Sequence, residues 1–71
     1  MDIIILGAGE LGKELAWTLC DKNNKVVVVD TVAEQLDRLR ERLDVMTLHG
    51  NCADFGVLKQ AGVKSASLLL A

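Results

Sequence analysis

The stretch Ile3-Ile4-Ile5-Leu6-Gly7-Ala8-Gly9-Glu10-Leu11-Gly12 decides the fold. Its first four residues are apolar, mostly β-branched, and run without alternation into a glycine, the pattern of a strand buried on both faces. Gly7, Gly9 and Gly12 then stand in the spacing G-x-G-x-x-G. Gly7 suits a tight turn off the strand, Gly9 removes the Cβ that would hold a phosphate away from the backbone, and Gly12 lets a helix pack close to the sheet. The first amides of that helix and the positive end of its dipole favour an anion. The same glycines would also serve a plain strand-to-helix turn. Context tips the reading towards a nucleotide: a strand before, a helix after, and an acid closing the next strand. The candidate phosphate loop is therefore Gly7, Ala8, Gly9, Glu10, Leu11 and Gly12.

That acid is Asp30, which ends Val26-Val27-Val28-Val29 and lies 18 positions after Gly12, close to the ~20-residue separation of a ribose-binding carboxylate. Capping the next helix is its competing role, but Thr31-Val32-Ala33-Glu34 reads as a capping box. Thr31 is expected to cap, leaving Asp30 for the ligand. A carboxylate here accepts ribose hydroxyls and repels a 2′-phosphate, so NADP is disfavoured against ligands of the adenosine diphosphate type. Glu10 should repel a bound pyrophosphate, with Lys13 offsetting part of that, unless Glu10 points to solvent. Glu34 and Arg38 are expected to form a solvated i,i+4 pair.

Further strands fit Val45 to Leu48 and Ala66 to Leu70. Between the strands, helical spacing places Gly12, Ala16, Leu19 and Cys20 on one face of Glu10 to Asp21, and Val32, Leu36, Leu39 and Leu43 on one face of Val32 to Leu43. A shorter helix fits Asp54 to Gln60, with Phe55, Leu58 and Lys59 following the turn, Asp54 as its cap and Gly62 as its stop. Strand and helix alternating in this way imply right-handed crossovers, a parallel sheet with helices on both faces, and the order 3-2-1-4. This is an α/β fold of the Rossmann type, expected to be only its first half. The run Leu68-Leu69-Leu70 would leave an unprotected apolar edge. The chain is therefore expected to be a fragment, or to have that edge covered by another chain.

The loop His49-Gly50-Asn51-Cys52-Ala53-Asp54 should sit near an adenine, because the strand ends line up along the ligand crevice. Asn51 offers a donor and an acceptor to a base edge. Cys52 could touch the base or simply pack, and His49 reads as a polar residue at a strand end. Trp17 falls on the helix side carrying Lys13, Glu14 and Asp21, where it either serves a partner surface or lies over its neighbours.

The chain has 71 residues, 51% of them hydrophobic, with a formal net charge of −2. That composition argues against disorder. No apolar run approaches the ~20 residues needed to cross a bilayer. The absence of a basic cluster argues against nucleic acid as the main partner. Cys20 and Cys52 make neither a disulfide framework nor a metal site, and read as reduced thiols of an intracellular chain.

These residues resemble the TrkA-type, or RCK, amino-terminal domain. The resemblance lies in Ile3-Ile4-Ile5-Leu6-Gly7-Ala8-Gly9, in Val28-Val29-Asp30, and in Gly50-Asn51 followed by Val57-Leu58-Lys59-Gln60-Ala61-Gly62-Val63. It spans nearly the whole chain, read as one domain over residues 1–71. It implies binding of NAD(H) or of ATP and ADP, assembly into dimers or larger rings, a cytoplasmic location, and control of a membrane potassium transporter or channel. It also implies that Gly7, Gly9 and Gly12 hold phosphates, Asp30 the ribose, with Thr31 beside it, and Asn51 with Cys52 the adenine region. The chain departs from the family at Glu10, where an arginine or neutral residue is common, at Asn51, where an acid is common, and in lacking the continuation past the fourth strand. Two functions stay open: a nucleotide-sensing regulator, or the nucleotide-binding half of an NAD-dependent oxidoreductase. No acid–base pair or partnered nucleophile stands out among these residues, which favours the sensor and a chain that is not an enzyme.

Overall fold

In the computed structural model, which describes residues 1–21 and 23–70, the two most apolar segments lie side by side at the centre of one sheet. They are β1 (Asp2–Leu6) and β2 (Lys25–Asp30). β3 (Met46–His49) flanks β2 and β4 (Ser67–Leu70) flanks β1, giving the order β3-β2-β1-β4 with every neighbouring pair parallel. The expected order and parallel pairing are both present.

Strand periodicity divides the core in two. Ile3, Ile5, Val26 and Val28 point to one face, where α1 (Glu10–Leu19) and α2 (Ala33–Arg42) bury Ala16, Leu36 and Leu39 against them. Ile4, Leu6, Val27 and Val29 point to the other, where α3 (Phe55–Ala61) lays Val57, Leu58 and Ala61 over the sheet. Each of these strand side chains is buried, a contribution of about 1.5–3 kcal/mol apiece. Helices therefore cover both faces, which is why the inner strands read as unbroken apolar runs rather than alternating ones.

Several local expectations need correction. α1 stops at Leu19, because Asp21 turns the chain instead and accepts a hydrogen bond from the Asn23 amide at 2.9 Å. Val32 does not join the core face of α2; it is the residue preceding that helix and is 44% exposed. Phe55 is also exposed, since α3 turns Val57, Leu58 and Ala61 to the sheet, and the Lys59 ammonium lies over its ring. Glu34 and Arg38 form no ion pair; among the described residues the pairs are Lys13 with Glu10 and Arg40 with Asp37. The ends of α3 follow expectation. Asp54 accepts from the Gly56 amide at 2.8 Å, and Gly62 at φ 89° stops the helix in the left-handed region that glycine tolerates. A 3-10 turn at Val63–Ser65 then leads into β4. The expected apolar edge formed by the Leu68, Leu69 and Leu70 side chains lies outside the described residues.

Candidate functional site

Parallel pairing brings three strand ends to one edge of the sheet, with Leu6 beside Val29 and Asp30 beside His49. Every residue expected at the site lies at these strand ends, in the loops leaving them or in the first turn of α1. Gly7 turns the chain off β1 at φ 112°, a conformation rare for any residue with a Cβ. Its amide donates to the Val29 carbonyl at 2.8 Å, tying the loop to β2.

Gly9 precedes α1 in extended backbone. A Cβ placed there would meet no atom within 4 Å, so the space over the loop is open. No side chain caps α1. The Lys13 amide makes the first bond back into the helix, to the Gly9 carbonyl at 2.9 Å. Leu11 is exposed and Gly12 is buried. Glu10 points to solvent, its side chain 94% exposed and 3.2 Å from the Lys13 ammonium. It therefore meets its cation on the helix surface.

Asp30 is not left idle by its neighbours. One carboxylate oxygen accepts from the Ala8 amide at 2.7 Å and the other from the Val32 amide at 2.7 Å. The expected division of labour is thereby reversed. Thr31 does not cap α2, which has no side-chain cap at all, while Asp30 reaches both across to the glycine loop and forward to the residue preceding α2. The reason is geometric: Asp30 is still in β2, adjacent to β1, whereas Thr31 is exposed and one position too early for the helix start at Ala33. Each carboxylate oxygen has two lone pairs, so one acceptor position on each remains for a ligand hydroxyl.

On the third loop, the Asn51 side-chain oxygen accepts from the Ala53 amide at 2.8 Å, closing a local turn that leaves its amide nitrogen as the donor. Cys52 packs against the Ile4 and Val29 side of the core and donates through Sγ to the Val29 carbonyl at 3.5 Å. Burial, and secondarily the negative charge of Asp30, push its thiol above the ordinary value of 9.0. Gly50 packs under α3, its amide donating to the Asp30 carbonyl at 2.9 Å. Its position marks His49 as no more than a polar strand end, yet its Nε2 lies 2.8 Å from the Thr31 carbonyl oxygen. Nothing in the spacing of His49 could have shown this, because the contact depends on β3 pairing with β2. Trp17 is 69% exposed on α1, away from these loops. A cleft of about 230 Å³ lined by Val27, Met46, Leu48 and Ala61 shares no residue with the candidate site.

Among the described residues no helix is long and apolar enough to cross a membrane. Comparison with known proteins adds the family. The TrkA-N domain matches residues 3–71. The chain is similar over its whole length to the Trk system potassium uptake protein TrkA of Halomonas elongata, at 46% identity, and to that of Vibrio alginolyticus, at 39%. A TrkA homolog of Archaeoglobus fulgidus is 41% identical over the same span. In each case the chain corresponds to 16% of the relative's length. The glycine loop, the acid at the end of β2 and the Gly50 to Gly62 segment thus stand in a recognised setting: the chain belongs to the TrkA-N domain family.

Proposed function

We propose that this domain binds a nucleotide, NAD(H) or ATP and ADP but not NADP, and that it regulates a potassium transporter or channel without being an enzyme. Family membership supports nucleotide binding, and the names of its relatives support a role in potassium uptake. The observation that carries the reading is Gly9: extended backbone ahead of an uncapped helix, with open space where a Cβ would be. A diphosphate could approach the α1 amides there, while Asp30, held beside the loop through the Ala8 amide, accepts the ribose hydroxyls. Asn51 and Cys52 flank the adenine side, and Thr31 lies beside the ribose.

Regulation in this reading is a population shift. The nucleotide favours one arrangement of protomers in a dimer or larger ring, and that preference passes to the membrane partner from the cytoplasmic side. Gly9→Ala tests the site directly. The added methyl meets nothing within the free chain, so folding stability should stay within about 0.5 kcal/mol of wild type. Affinity for ADP or NADH, measured by calorimetric titration, should fall by more than tenfold. Unchanged affinity in a folded Gly9→Ala variant would place the phosphates elsewhere.

A further inference from the structure

The nucleotide reading gives His49 no role, yet this side chain makes a hydrogen bond between two loops. His49 ends β3 in register with Asp30, and its Nε2 is 2.8 Å from the carbonyl oxygen of Thr31, the residue following Asp30. A carbonyl only accepts, so Nε2 carries the hydrogen and donates, in the neutral ring and the imidazolium alike. The segment it holds is short and otherwise weakly anchored. Thr31 and Val32 are exposed, and α2 has no side-chain cap. Its hydrogen bonds are the Asp30 carboxylate on the Val32 amide, the His49 ring on the Thr31 carbonyl, and the Gln35 amide on the Val32 carbonyl at 3.2 Å. Only the second comes from another strand.

We infer that His49 is a positioning residue for the ribose end of the site. By holding the Thr31 peptide it sets how Asp30 presents its remaining lone pairs, and Thr31 its hydroxyl, to an adenosine sugar. The inference rests on the nucleotide reading above and deepens it. A contact already made in the free chain lowers the ordering cost at the moment of binding, which is where its contribution to affinity would come from.

The test uses the full chain and two readouts. Without ligand, His49→Ala should raise amide hydrogen exchange at Val32, whose amide is held by Asp30, by roughly 2- to 10-fold, the range of one lost hydrogen bond. His49→Gln, whose amide can donate to the same carbonyl, should keep exchange near wild type. With ligand, titration with ADP and 2′-deoxy-ADP separates positioning from general damage. His49→Ala should weaken ADP by roughly 2- to 10-fold and 2′-deoxy-ADP by less, narrowing the preference between them, and His49→Gln should restore that preference. Proportional loss for both ligands, no rescue by glutamine, or unchanged exchange at Val32 would overturn the proposal. A wild-type chain that binds neither compound would sink the nucleotide reading and the ribose role together, whereas the exchange result alone would then judge the contact with Thr31.

Discussion

Replacing Asp30 by alanine should destabilise the chain before any nucleotide is added. The carboxylate accepts two backbone amides at 2.7 Å, from Ala8 and from Val32. Hydrogen bonds to a charged acceptor contribute about 1.5–3 kcal/mol each where water is excluded. Ala8 is fully buried, so its amide finds no substitute partner and the whole of that range applies. Val32 is 44% exposed and water can replace the acceptor, which leaves a loss of about 0.5 kcal/mol there. Asp30→Ala should therefore cost about 2–3.5 kcal/mol. Asp30→Asn keeps one acceptor oxygen but turns an NH2 towards the other amide, so it should cost about one bond, 1.5–3 kcal/mol, if the buried amide is the one opposed. Urea denaturation of the ligand-free chain, followed by circular dichroism and by amide exchange at Ala8, measures both. An Asp30→Ala variant with an unchanged midpoint and an unchanged Ala8 exchange rate would refute the reasoning, and would mean that the carboxylate serves a ligand alone.

Three further outcomes follow from the same geometry. In Gly50→Ala the new Cβ would lie 2.8 Å from Val57 Cγ2 and 3.1 Å from Cγ1, so the Val57 side chain or α3 with it must shift, at a cost of about 1–3 kcal/mol in denaturation experiments. Adding Val57→Ala should recover part of that loss, and a strictly additive double variant would exclude the clash. The raised Cys52 thiol should be alkylated in the native chain with a pH midpoint above that found in urea, and Asp30→Asn should lower the native midpoint by removing the secondary cause. Because the folded state favours the protonated thiol, its contribution to stability is complete below about 9.0 and is lost as pH rises through the higher native value. Coincident midpoints in native and unfolded chains would contradict this. Glu10→Gln should tighten ADP binding roughly threefold at low ionic strength by releasing Lys13, one turn along α1, from its surface pair with that solvent-facing carboxylate. The gain should disappear at about 1 M salt, where screening acts within about 3 Å; a gain that survives that salt would rule out the electrostatic cause.

The chain alone determined its fold class, because the signals are short-ranged. Ile3–Leu6 and Val26–Val29 read as inner strands from composition, and the glycine spacing marked the turn into α1 without reference to any distant residue. Asp54 and Gly62 likewise announced the two ends of α3 through chemistry within a few positions. The family setting was legible for the same reason. What the tertiary structure decided are the bonds between residues far apart in the chain. Asp30 holds the Ala8 amide across 22 positions and His49 reaches Thr31 across 18. A capping-box pattern at Thr31 gave no warning that a strand-end carboxylate would reach that turn first, and a lone histidine gave no sign of its carbonyl partner. Such contacts exist only once parallel pairing brings the strand ends side by side, and no periodicity within a single segment encodes them.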